Sequence, residues 1–154
     1  MRIAIFGKNC KKEDLCYIED LLSQISLRSD KLIIAKEFFT YLQDKITFPE
    51  NSSIVALEED KISTQQIDVL FSLGGDGTLL DTLSVVKNSC IPVLGINLGH
   101  LGFLTSVGRA DIKNLLTEIE KKHYKFEKHS VLQASCEALI GKRFAINEVC
   151  VRSL

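Results

Sequence analysis

Three short stretches of this chain combine residue types that could do chemistry. The first is Gly74-Gly75-Asp76-Gly77-Thr78. Three glycines within four positions let a backbone take positive φ and come very close to a ligand, while the one acidic side chain among them has nothing beside it to pack against. Such a turn is expected to project Asp76 outward. The second stretch is Gly95-Ile96-Asn97-Leu98-Gly99-His100-Leu101-Gly102-Phe103-Leu104-Thr105. Phe103 could cover a planar ring of a ligand or simply pack in the core, and His100 reads either as a solvated loop histidine or as a ligand contact. The third is Asn147-Glu148, inside Phe144 to Val151. Neighbouring strand residues point to opposite faces, so if one of this polar pair meets solvent the other faces inward or into a cleft. Ligand hydroxyls would satisfy it there, and a wet edge strand or bulge is the plainer alternative.

The elements on either side decide where the first turn sits. Ile67 to Leu73 is a short, mostly continuous apolar run, as expected for a strand buried on both faces of a parallel sheet. Behind the turn, Leu79, Leu80, Leu83 and Val86 share one face of a helix with a period near 3.6. The glycines therefore lie at the carboxyl end of a strand and at a helix N-terminus, where free N–H groups and the helix dipole favour phosphate. An ordinary tight strand-to-helix turn is the bland reading. A Walker loop is excluded by spacing. A dinucleotide fingerprint also fails, because Leu80 stands where its third glycine belongs and no acidic residue follows about twenty positions on.

Apolar β-type runs and helical patterns alternate along the chain. Strands are expected at Arg2 to Phe6, Lys31 to Ala35, Ile54 to Leu57, Ile67 to Leu73 and Ile91 to Ile96. Helices are expected around Leu15 to Ile25, Phe38 to Leu42, Leu79 to Val86 and Asp111 to Lys122. Ile46 to Ser63, with Pro49 and an acidic patch, is the least regular stretch and reads as a mobile connection around its short strand. This alternation predicts an α/β fold: a doubly wound, mostly parallel sheet with helices on both faces and ligands outside the strand carboxyl ends. From Phe126 the pattern turns to short strands, Ser130 to Ala138 and Arg143 to Val151, with no helix between them. The expected organisation is an α/β nucleotide-binding domain over 1–122 and the first strands of a β-rich domain over 123–154. Those strands are too few to close a sheet, so the chain is expected to be part of a longer protein or to take partner strands from another subunit, its β tail poorly ordered alone.

Composition narrows the function further. A net charge of −1 without a basic tract argues against nucleic acid as the main partner. The apolar runs are far short of a bilayer span and the N-terminus starts a strand rather than a signal peptide, so no membrane association and a cytoplasmic location are expected. The five cysteines, Cys10, Cys16, Cys90, Cys136 and Cys150, are scattered without metal-ligand spacing and read as reduced thiols with no chemical role.

In order and approximate spacing, the turn Gly74 to Thr78, the segment Gly95 to Thr105 and the strand carrying Asn147-Glu148-Val149 resemble those of the NAD kinases, and the chain is similar to the N-terminal half of one. Gly-Gly-Asp-Gly alone is less specific, since lipid kinases related to diacylglycerol kinase and the phosphofructokinases carry similar turns. The resemblance implies phosphorylation of the adenosine-ribose 2′-hydroxyl of NAD by ATP, or in some members by polyphosphate, to give NADP. It maps the family's proposed catalytic base to Asp76. Gly77, Leu80 and Phe103 match positions lining the nucleotide, and Asn147 and Glu148 match the pair that hydrogen-bonds the dinucleotide. Gly74, Gly75 and Thr78 are expected near phosphate with the rest of the turn. Mg²⁺ or another divalent cation would come with the ATP, no residue is assigned to ligate metal directly, and a homo-oligomer is expected at full length. The family's later segments have no counterpart here, so the 154-residue chain alone is expected to be inactive. A lipid or small-alcohol kinase of the same glycine-turn superfamily, or a non-catalytic nucleotide-binding module, are the competing readings. An aspartate with an ordinary pKa of about 3.9 is a weak base for an alcohol, but phosphoryl transfer runs through a loose transition state in which positioning and charge neutralisation do most of the work.

Overall fold

The computed structural model describes residues 1–28, 31–50, 54–99, 102–105, 107–135, 144–146 and 150. Short runs of aliphatic and aromatic residues form the strands β1 (Arg2–Gly7), β2 (Lys31–Ala35), β3 (Ile54–Leu57), β4 (Val69–Leu73), β5 (Val93–Asn97) and β6 (Val107–Gly108). They pair in one parallel sheet of order β3-β2-β1-β4-β5-β6. β1 and β4 occupy the centre, with Ile3 opposite Val69 and Phe6 opposite Ser72. That position explains their composition: Ile3, Ala4, Ile5, Phe6, Leu70 and Phe71 are at most 1% exposed, since both sheet faces are covered. Truncating Phe71 to alanine would cost about 3–5 kcal/mol by leaving a cavity.

The chain winds outward from β1 to β3, returns to the centre at β4, and winds outward again to β6. Its direction switches between β1 and β4, so the loops leaving their carboxyl ends part and open a crevice. The strand order is thus that of a dinucleotide-binding sheet although the dinucleotide fingerprint is missing. Helix α1 (Leu15–Ser26) buries Ile18, Leu21, Leu22 and Ile25, and packs beside α5 (Ile112–Glu120), which buries Ile112, Leu115 and Leu116. Helix α2 (Lys36–Leu42) covers β2 and β3, while α3 (Glu59–Ile62) lies against α4 (Asp76–Val86). Right-handed crossovers put α1 and the α3/α4 pair on opposite faces, and α5 shares the face of α1 by packing beside it.

Two details depart from the sequence reading. Stretch 46–63 is packed in part, because Ile62 in the single turn of α3 is fully buried, a helix too short to leave a periodic signal. β6, only two residues long, was also illegible and forms the sheet edge against Ile96 and Asn97. Beyond α5, β7 (Leu132–Gln133) pairs antiparallel with β8 (Phe144–Ala145), which rests on α4. Of the expected strands Ser130 to Ala138 and Arg143 to Val151, positions 130, 131, 134, 135, 146 and 150 fall outside these two short strands, and 136–138, 143, 147–149 and 151 lie outside the described residues. No helix among the described residues is long and apolar enough to cross a membrane.

Candidate active site

The site starts where β4 ends. Gly74 has φ +152°, a conformation that side chains rarely adopt, and a Cβ there would stand 2.7 Å from the Cβ of Thr78. Its N–H donates to the Ile96 carbonyl at 3.0 Å, extending the ladder to β5. Gly75 then caps α4 in an extended conformation, its carbonyl accepting from the amides of Thr78 and Leu79 at 3.0 and 3.1 Å. Among the described glycines only Gly74 takes the positive φ that the turn's composition allowed. Gly75 and Gly77 serve another purpose. A Cβ at either would meet nothing within 4 Å, although Gly77 inside a helix costs about 1 kcal/mol relative to alanine. What their missing side chains leave is room for a ligand to touch the backbone at the helix N-terminus.

Asp76 does not project freely outward as the sequence suggested. Its Oδ2 accepts the Phe103 amide at 2.7 Å, and its Oδ1 accepts the amides of Leu104 and Thr105 at 3.1 and 3.2 Å and the Thr105 hydroxyl at 3.2 Å. The second glycine stretch folds its amides over the carboxylate, a partner 27 residues away that no local pattern discloses. These donors, the Phe103 amide foremost, hold the Asp76 pKa below its ordinary value of 3.8 against an opposing contribution from burial. Gly102 is glycine because a Cβ there would fall onto that carboxylate, 2.5 Å from Oδ2.

Phe103 is fully exposed, which removes core packing as its reason for being aromatic. Leu80, 41% exposed, stands one turn after Asp76 on the same side of α4. Thr78 belongs to the same first turn, and Thr82 Oγ1, 2.9 Å from both the Thr78 carbonyl and Ser72 Oγ, ties that turn to β4. The structure therefore brings Gly74, Gly75, Asp76, Gly77, Thr78, Leu80 and Phe103 to one place. Asn147, Glu148 and His100 lie outside the described residues.

A cleft of about 430 Å³ opens at the switch point between Gly74-Gly75 and the loop after β1, where Asn9, Cys10 and Lys11 line it. Sequence reasoning missed this loop, although its place after the first strand of an alternating fold was the available signal. Tyr41 fixes it: its hydroxyl donates to the Cys10 carbonyl at 2.8 Å and accepts the Cys10 amide at 3.3 Å. Burial pushes the Cys10 thiol pKa up, which disfavours the thiolate form. Buried Asp14, also on the cleft, accepts Arg109 Nη1 at 3.0 Å.

The sequence matches the model of the ATP-NAD kinase N-terminal domain over residues 5–124. The chain belongs to the ATP-NAD kinase family. It is 32% identical to the NAD kinase of Flavobacterium johnsoniae and 33% identical to that of Flavobacterium psychrophilum, covering 98% of this chain and 52% of each relative. The NAD kinase of Bacteroides fragilis is 29% identical, over 98% of this chain and 51% of its own length. The chain thus spans about half the length of the curated relatives it matches. Among solved structures, yeast NADH kinase complexed with NADH shares the fold, with a TM-score of 0.71 and 22% identity over 86% of this chain and 41% of that one.

Proposed function

We propose that the complete protein is an NAD kinase, transferring the γ-phosphoryl group of ATP to the adenosine-ribose 2′-hydroxyl of NAD to give NADP and ADP. The observation that carries this reading is the Asp76 carboxylate, held by the Phe103–Thr105 amides beside a glycine turn whose Gly75 and Gly77 leave the helix N-terminus open. In this reading the amides of Gly75 and Gly77 receive phosphate, while Gly74 and Thr78, whose own amides are bonded to the Ile96 and Gly75 carbonyls, shape the turn around it. Leu80 and exposed Phe103 line the nucleotide, and Asn147 and Glu148 hydrogen-bond the dinucleotide. A divalent cation, Mg²⁺ in the first instance, arrives on the ATP phosphates and neutralises their charge.

The chemistry asked of Asp76 is modest. A carboxylate with a lowered pKa is a poor base, but it can orient the acceptor hydroxyl and take its proton late, as the new bond from the 2′-oxygen to phosphorus forms and the bond to the ADP oxygen breaks. We further propose that residues 1–122 supply the α/β half of the site and that the segment from 123 begins a β-rich domain completing it. A cytoplasmic, homo-oligomeric enzyme is part of the same proposal. The test offers the complete protein NAD, NADH and diacylglycerol with Mg-ATP. Phosphorylation of NAD is expected; phosphorylation of lipid but not of NAD would make it a lipid kinase, and binding without turnover a nucleotide-binding module.

A further inference from the structure

We infer that Thr105 is a positioning residue for Asp76: its hydroxyl, oriented by Asn97, holds one carboxylate oxygen so that the other presents its remaining lone pair to the acceptor hydroxyl. The inference rests on the reading of Asp76 as the group that meets that hydroxyl. It starts from the accounting of donors. A carboxylate has about four lone-pair sites. Oδ1 accepts three hydrogen bonds, from the Leu104 amide, the Thr105 amide and the Thr105 hydroxyl, whereas Oδ2 accepts only the Phe103 amide among the hydrogen bonds described. The open acceptor site is on Oδ2.

A hydroxyl can point its proton anywhere, and here a neighbour decides. Asn97, 2% exposed at the end of β5, accepts the Gly99 amide on Oδ1 at 2.7 Å, which turns its Nδ2 toward Thr105 Oγ1 at 2.8 Å. Thr105 Oγ1 is therefore the acceptor in that contact and its proton goes to Asp76 Oδ1. Gly95 makes room for this: a Cβ there would come 3.1 Å from Thr105 Cγ2 and 3.2 Å from Thr105 Cα. The groups bonded to the carboxylate are uncharged. The charged groups on adjoining elements pair with one another, Lys8 with Asp81 of α4 and Arg109 with Asp14 and Glu13.

The test uses Thr105→Val and Thr105→Ser in the complete protein. The Asp76 carboxyl, followed by ¹³C NMR without substrate, is expected to titrate at higher pH in the valine variant and to return toward the wild-type position in the serine variant. In steady state, kcat for NAD phosphorylation is expected to fall about 10- to 100-fold with valine, the scale of one hydrogen bond to a charged acceptor, with the KM for ATP little changed and serine restoring most of the loss. If valine does not fold, Thr105→Ala carries the same expectations, since it only removes atoms. An Asp76 titration identical in wild type and the hydroxyl-free variant, or a serine variant as impaired as valine, would overturn the inference. A shifted titration in a protein that leaves NAD unphosphorylated would support the positioning and overturn the proposed function instead.

Discussion

At Gly95 and Gly102 an added Cβ would run into protein atoms: the backbone and methyl of Thr105 in the one case, the Asp76 carboxylate in the other. At Gly75 and Gly77, across the same crevice, it would meet nothing within 4 Å. One residue type thus answers two demands in segments that meet at Asp76. In the later loop glycine lets the protein close on itself and hold a carboxylate. In the earlier turn it keeps the protein open at a helix N-terminus, at a cost in helix stability that packing does not explain. The loop that closes should govern stability and turnover together, and the turn that stays open should govern binding alone.

Asp76 joins the two segments and carries the largest expected effect. On the proposed reading Asp76→Asn should lower kcat by about 10² or more, because it would remove the proposed proton acceptor and set an amide N–H₂ against the amides of 103–105. A folded variant with near-normal kcat would reduce Asp76 to an anchor for the loop. Gly102→Ala comes next. It is expected to lower stability in chemical denaturation by about 1–3 kcal/mol, the usual range for forcing an atom into occupied space, and to lower kcat with it. Unchanged stability and activity would mean that the loop yields freely and the closure is not required.

Gly75→Ala should do the opposite, leaving the denaturation midpoint where it is and raising the KM for ATP about tenfold, a change of roughly 1.4 kcal/mol in binding. Loss of stability with an unchanged KM would erase the distinction between the two loops. Phe103→Ala is expected to be smaller still. The ring is fully exposed, so stability should stay within about 0.5 kcal/mol, while the KM for NAD should rise about fivefold if the ring stacks on ligand. The least expected effect is that of acid. Asp76 is held below its ordinary 3.8, so its contribution to stability is fully present above that value and fades as pH falls through the lower folded-state value. Amide signals of 103–105 followed by NMR on acidification should move with a midpoint below 3.8, and should lose that dependence in Asp76→Asn.

The sequence by itself determined the alternation of strands and helices, the placement of the glycine turn between β4 and α4, and the identity of Asp76, because apolar runs, helical period and glycine clusters are local signals. β2 and β3 fall where their apolar residues put them, at Lys31–Ala35 and Ile54–Leu57. Tertiary structure alone decided the rest. The strand order, and hence the crevice between β1 and β4, depends on which strands pair. The Cys10 loop joins the site through Tyr41, 31 residues away, and the Asp76 carboxylate found its donors 27 to 29 residues on. Hydrogen bonds across such separations are fixed by sheet register and by the path of the connecting loops, which no window of the sequence contains. The same holds for the glycines, whose composition was plain from the start and whose separate reasons depended on which neighbours the fold brought within reach of each absent side chain.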